Sequence, residues 1–455
     1  MATKKKVSSR TKGGKGNPIF EQIHLNAAGI DAGASEHWVA VPEDRSADRV
    51  RKFSTTTAGL YALADWLVEC GVETVAIEAR GVYCVPLMEV LEARKLEVVL
   101  IRPSTLRSIN DRQKTDMLDC QWIQMLHTCG LLKASFRPTR AIAELRAYVR
   151  HRRSLIEQST TYIQRMQKAL TQMNLRLDQV VSDITGATGM RIIRAILDGE
   201  RRPEVLAAMR DDGCAKSEQQ IAEALLGRPC PEHLFVLEHA YRQWQQCRDL
   251  IGECDRRIET YAAEFEKKAD RTTIPTPRRR EHIRKNVFAF DARSLFFEIL
   301  GVDLSQIDGI STSTICTFLS EVGTSVAAWK SEKQFCSWLR LCPGNNVTGG
   351  RSKGGRNRHT TNRLATALRV AAQSLDRSDS ALGAYHRRMK ARVGVEKAIN
   401  ATAHKLACHL FWSVRDQRTY TDPGAQAYDL RHTERTLKHL QRRAQRLGFN
   451  LVKTA

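Results

Sequence analysis

Between Ile23 and about Gly130 the chain switches repeatedly between short apolar runs and helical periods, and this alternation limits its fold more than any other feature. The runs IHLNAAGID, EHWVAVP and RVRKFS predict three successive strands joined by short polar turns. TTAGLYALADWLVECG predicts an amphipathic helix with Thr56 or Thr57 as N-cap and Gly71 just past its end. VETVAIEA and LEVVLIRP predict two more strands. VPLMEVLEARK and DMLDCQWIQMLHTCG predict two more helices.

A three-strand meander followed by β-α-β-α is the order of a ribonuclease H-like (RuvC-like) α/β domain, expected here over residues 21–138. Four acidic residues occupy the slots where that fold gathers charge: Asp31, Glu78, Asp116 and Asp119. The last two are spaced i, i+3 at the start of a helical stretch and share one face. Taken singly, each has an ordinary reading as a turn residue or as a charge favoured by a helix N-terminus. Taken together, four carboxylates are costly unless a cation neutralises them, and hard oxygen donors in that number suit Mg²⁺. Lys114, just upstream of the pair, either balances that charge, contacts phosphate, or is plain surface.

Lys and Arg number 72 against 50 Asp and Glu, for a net charge of +22. Such an excess is the electrostatic footprint of a protein that binds a polyanion, nucleic acid by default. Carboxylate-bound magnesium in a basic chain points to phosphodiester chemistry. The twelve cysteines are scattered singly, with no C-x-x-C pair and no Cys/His set at zinc spacing, so they read as small buried apolar residues in a reducing compartment. No stretch approaches the roughly 18 uninterrupted apolar residues of a membrane span. Residues 1–20 read as a disordered basic arm and not as a secretory signal, because no apolar segment follows MATKKKVSSRTKGGKGN. A cytoplasmic protein that joins the bacterial nucleoid when acting is the expectation.

Over residues 139–270 the period changes. Apolar or small residues recur from Ile142 to Val180, interrupted by Arg152 and Ser159, and again from Leu237 to Phe265. Two long coiled-coil helices, with a small helical insertion at about 185–230, would form either an antiparallel hairpin or a dimer seam. Residues 271–300 read as an exposed basic linker containing Arg278, Arg279 and Arg280.

In the mainly α-helical segment 301–424, LSQIDGISTSTICTFLSEVG has the turn of a helix-hairpin-helix element, whose Gly309 and Ile310 amides would hold a DNA phosphate. Thr348, Gly349 and Gly350 follow, with Arg351, Lys353, Arg356, Arg358 and Arg363 around them, in a loop expected to enter a helix near Thr361. Two readings stay open there: a hydroxyl nucleophile forming a phospho-enzyme ester, or a phosphate-binding loop without covalent chemistry. Residues 425–455 predict a basic amphipathic helix ending at Gly448. Aromatic residues are only 6% of the chain and show no interleaving with the basic groups, which argues against a single-strand stacking platform.

The order GIDAG, AIEARG, KTDMLD, long helices, IDGISTSTICTFLSEVG and CPGNNVTGG resembles the transposases of the insertion sequence 110 family, in particular its 1111 branch, over roughly residues 22–420. The resemblance implies a DEDD tetrad of Asp31, Glu78, Asp116 and Asp119 that binds Mg²⁺, together with a C-terminal transposase domain. The family's nucleophilic serine falls on Thr348, whose methyl crowds attack; Ser352 is the neighbouring alternative. The resemblance further implies excision and integration of an insertion sequence guided by a structured non-coding RNA, in a dimeric or tetrameric synaptic complex on donor and target DNA. The rival readings are a metal-dependent junction nuclease that forms no covalent link, and a nucleic-acid packaging protein without chemistry.

Overall fold

The computed structural model describes residues 21–79, 81–102, 115–278, 285–349 except 345–346, 351–352 and 362–452, with only the backbone at 347–348 and 351–352. The chain forms two compact units, 1–137 and 138–455.

In the first unit the predicted meander forms as β1 (Ala27–Ala32), β2 (Glu36–Ala40) and β3 (Val50–Ser54), followed by helix α1 (Thr57–Glu69), β4 (Thr74–Glu78), α2 (Cys84–Ala93), β5 (Glu97–Ile101) and α3 (Asp116–Thr128). The sheet order is β3-β2-β1-β4-β5. The meander pairs antiparallel, whereas β4 joins β1 and β5 joins β4 in parallel. This mixed sheet with its helices fits a ribonuclease H-like domain. Thr56 caps α1, accepting a hydrogen bond from the Gly59 amide at 3.3 Å.

β1 and β4 are buried along their whole length, as central strands covered on both sides must be. One face carries Ala28, Ile30, Val75 and Ile77 against Leu63 and Leu67 of α1 and Leu87 and Leu91 of α2. The other face packs Ala76 and Ile101 on Ile123 and Leu126 of α3. Gly29 makes the second contact close: a Cβ there would stand 2.5 Å from the Cys120 carbonyl oxygen and 2.7 Å from the Gln124 Cα. Because side chains alternate along a strand, Asp31 follows Gly29 onto the α3 face, and Glu78 follows Ala76.

The second unit is mostly helical. Its spine is a pair of long helices, α4 (Arg140–Gln172) and α9 (Pro231–Ala263). The pair is antiparallel and lies within one chain, since Tyr261 donates to the Ala141 carbonyl at one end while Met166 packs with Ala240 and Tyr241 at the other. Between them run α5 (Leu177–Val180), α6 (Ala187–Leu197), α7 (Pro203–Ala207) and α8 (Glu218–Ala224), which share one apolar core with α4 and α9: Ile192, Ile193 and Leu206 belong to the same cluster as Met166, Leu170 and Leu237.

The two interruptions of the first stripe are not breaks. Arg152 and Ser159 are buried on the seam, and Arg152 forms an ion pair with Asp255 of α9. The Arg152 guanidinium also donates to the Asn286 and Val287 carbonyls and stacks on Phe288, 4.2 Å from the ring centre.

Several expectations need correction. The stretch 271–300 is not an exposed linker throughout, because it ends in α10 (Ala292–Leu300), whose residues are buried apart from Arg293. Before α11 (Thr312–Glu321) there is a single 3₁₀ turn, Leu304–Gln306, in place of the first helix of a hairpin element. The Ile310 amide already donates to the Ile307 carbonyl at 3.0 Å, so it is not open to a phosphate. Gly309, at φ 86°, is packed inward: a Cβ there would stand 3.0 Å from the Ala371 carbonyl oxygen.

After α12 (Glu332–Trp338) the expected loop contains a small hairpin, β6 (Val347–Thr348) paired with β7 (Arg351–Ser352). The next helix, α13 (Arg363–Ser374), starts from its Asn362 cap, near where it was expected; Thr361 lies outside the described residues. Helices α14 (Ala381–Val393), α15 (Val395–Asp416) and α16 (Ala425–Arg446) complete the unit.

Candidate active site

Asp31 and Glu78 sit at the same end of the sheet. The β1–β4 register pairs Ile30 with Ile77, and each carboxylate is the next residue along its strand. Both are buried, with 2% and 8% of their surfaces exposed. Burial at the carboxyl ends of adjacent parallel strands is costly for two acids of like charge, and calls for compensation.

Across from them is the first turn of α3. Thr115 caps that helix by accepting from the Leu118 amide at 3.3 Å, which sets the start so that Asp116 and Asp119 both fall in its first turn. Asp119 is half-buried and Asp116 exposed. Cys120, next to Asp119, is a buried thiol packed under β1. Burial pushes it up to about 12, and the charges of Asp31 and Asp119 push in the same direction.

The strands and the helix therefore bring the four predicted acids to one end of one face. They offer only hard oxygen donors, two buried and two toward solvent, which is a donor set suited to a hard divalent cation and its waters. They are not tightly drawn together. Among the described residues, the set of His, Cys, Asp or Glu ligand atoms that all lie within 4.8 Å of one another is Cys336, His404 and Cys408.

Thr348 and Ser352 lie on the two strands of the small hairpin, Thr348 pairing with Arg351 and Val347 with Ser352. Gly349 opens the connection at φ 57°, a left-handed value that glycine adopts without penalty, and no atom within 4 Å would meet a Cβ there. Lys114, Arg279, Arg280, Gly350, Lys353, Arg356 and Arg358 lie outside the described residues, as does the 1–20 arm. Arg363 opens α13 and is half-buried. Arg278 has protein partners: it bridges the buried Asp308 and Asp422 at 3.1 and 3.3 Å and donates to the Gln306 carbonyl. It staples the second unit together, a role its place in a basic run did not reveal.

Sequence order also hid an aromatic and basic cleft. A cavity of about 580 Å³ among α14, α15 and α16 is lined by Tyr385, Arg388, Lys405, Tyr428 and Arg435 among others. Arg388 lies 5.8 Å from the Tyr385 ring centre and 5.4 Å from that of Tyr428. Aromatic and cationic groups are thus brought together in space where they are apart in sequence.

A family model described as a DEDD transposase of the IS110 type matches residues 28–175, the span that holds all four acids. A second, for transposases of the IS116/IS110/IS902 family, matches residues 303–387, including Thr348. The chain belongs to the IS110 transposase family. It is a DNA transposase, an enzyme of recombination that moves an insertion sequence, and its DEDD domain implies a divalent metal. No curated protein matches the sequence. No helix among the described residues is long and apolar enough to cross a membrane.

Proposed function

We propose that this transposase cuts and rejoins DNA through Mg²⁺ held by Asp31, Glu78, Asp116 and Asp119 and through a hydroxyl nucleophile at Thr348, with a structured RNA choosing the sites. The burial of Asp31 and Glu78 side by side, facing the first turn of α3, carries the reading. Bound Mg²⁺ would supply Lewis acidity toward the scissile phosphate. The strand carboxylates keep their positions because the sheet holds them, while Asp119 and Asp116 complete the donor set from a capped helix end.

The Thr348 oxygen would attack phosphorus, forming an Oγ1–P bond as the P–O bond to the leaving deoxyribose breaks. The threonine proton passes to solvent and the leaving oxygen takes one up. The reverse step rejoins the strand, so no external energy source is needed. Ser352, opposite Val347 in the hairpin, is the alternative hydroxyl.

Sequence selection by a guide RNA asks of the protein only that it hold backbone and shape, a task suited to a +22 chain. The cleft of Tyr385, Arg388 and Tyr428 would contact nucleic acid, as would Gly309, Gly349, Arg351 and Arg363. A homo-oligomer, dimer or tetramer, would bring donor and target together.

The test uses the full chain purified with its co-expressed RNA, Mg²⁺ and a labelled suicide DNA. Asp31→Asn and Glu78→Gln should lose cleavage while binding nucleic acid within about twofold of wild type, because only the cation site is changed. Thr348→Ala should lose a covalent protein–DNA adduct that Thr348→Ser retains. Free cut ends without an adduct would instead favour a water-using nuclease. Unaltered cleavage in both carboxylate variants would refute the metal assignment.

A further inference from the structure

The sequence contains no Cys/His pattern at conventional zinc spacing, yet the fold assembles one. His404 and Cys408 are four residues apart on α15 and so share a face one turn apart. Cys336, carried by α12, meets them from another element. The Cys336 and Cys408 sulfur atoms are 3.7 Å apart, and the Cys408 sulfur is 3.8 Å from His404 Nδ1. Both cysteines are buried, His404 is half-buried, and no cysteine in the chain is in a disulfide.

These separations are informative. A disulfide needs about 2.05 Å between sulfurs. A tetrahedral Zn²⁺ with Zn–S bonds of about 2.3 Å and a Zn–N bond of about 2.05 Å places its sulfurs ~3.8 Å apart and sulfur and nitrogen ~3.6 Å apart. The sulfur–sulfur and Cys408–His404 separations are already close to those values, and all three ligand atoms lie within 4.8 Å of one another. Soft thiolates and an imidazole select a borderline cation over Mg²⁺. Glu332, at the first turn of α12, acts electrostatically on all three groups.

We propose that Cys336, His404 and Cys408 form a structural Zn²⁺ site that ties α12 to α15. Binding releases the two thiol protons to solvent, so two thiolates neutralise the dication in a largely apolar setting. The site has a mechanical consequence. The chain leaves α12 at Trp338 and reaches the hairpin that carries Thr348 within ten residues, so pinning α12 to the long α15 would steady the start of that connection. The assignment does not depend on Thr348 being the nucleophile.

The full chain, purified under reducing conditions, should contain one zinc per chain by elemental analysis after a Mg²⁺-containing wash. Exchange for Co²⁺ should give thiolate-to-cobalt charge-transfer absorption and the visible bands of a tetrahedral centre. Both should vanish in Cys408→Ser and fall sharply in His404→Gln, whereas Asp31→Asn should keep them, since carboxylates give no such charge transfer. As a check that does not depend on the folding of any variant, Zn²⁺ added to metal-stripped wild type should raise its melting temperature, and a thiol-competent chelator should reverse the rise. A folded, reduced wild type that takes up neither metal with thiolate absorption would overturn the site. So would a Co²⁺ spectrum unchanged in Cys408→Ser.

Discussion

The acidic end of the sheet and the Cys336–His404–Cys408 cluster, the two proposed metal sites, gather their donors in contrasting ways. The first draws hard oxygens from two strand ends and a helix start, and leaves Asp116 exposed. The second draws sulfur and nitrogen from two helices and buries both thiols at near-bonding geometry. A site that must admit a phosphate has to stay open and incompletely drawn together, while a site that only holds helices can close. A third solution lies on the α4–α9 seam, where the charge of Asp255 is met by Arg152 and no ion is needed.

Three measurements would break or sharpen this contrast. The largest effect is expected from withdrawing Mg²⁺ with a weakly thiophilic chelator. Strand cleavage should disappear, falling by at least about 100-fold, while the thermal unfolding of the chain stays the same. Unfolding that tracks the loss of cleavage would mean that the acidic end is structural, and the two sites would then not differ in kind.

Asp255→Ala comes next. It leaves the Arg152 guanidinium buried without its carboxylate and should cost about 3–5 kcal/mol, read as a lower denaturant midpoint for the second unit. Asp255→Asn keeps the shape and should recover part of that loss. A cost under about 1 kcal/mol would show that the carbonyls of Asn286 and Val287 and the Phe288 ring suffice for the arginine.

The smallest effect concerns pH. His127 is buried in the first unit, its Nε2 is 2.9 Å from the Thr74 hydroxyl, and burial, helped by His24, holds it down at about 4. An unfolded histidine titrates near 6.5, so between 6.5 and about 4 the unfolded chain takes up a proton that the folded one refuses. Stability should therefore be complete above that window and fall as pH drops through it, by on the order of 3 kcal/mol at most. His127→Gln should flatten this slope for the first unit. An unchanged slope would assign acid sensitivity to other groups.

Much of the first unit was legible because its signals are local. Thr56 as cap, the strand ends at Asp31 and Glu78, and the i, i+3 acids after Thr115 each depend on neighbours a few residues away. In the second unit the stripes marked long helices correctly, but Arg152 and Ser159 looked like flaws because the stripe alone does not show what stands opposite. The protein partners of Arg278 were hidden for the same reason. A basic run looks solvated until Asp308 and Asp422 are seen to close on one of its members.

The sequence by itself determined the succession of strands and helices, the end of the sheet where the acids collect, and the excess of positive charge. These follow from backbone periodicity, capping chemistry and composition, which short stretches of chain carry on their own. Only the tertiary structure decided that Arg152 meets Asp255, that Arg388 lies against both Tyr385 and Tyr428, and that Cys336 joins His404 and Cys408. Such contacts depend on how whole helices pack against one another, and a residue's chemistry is set by what that packing places in front of it.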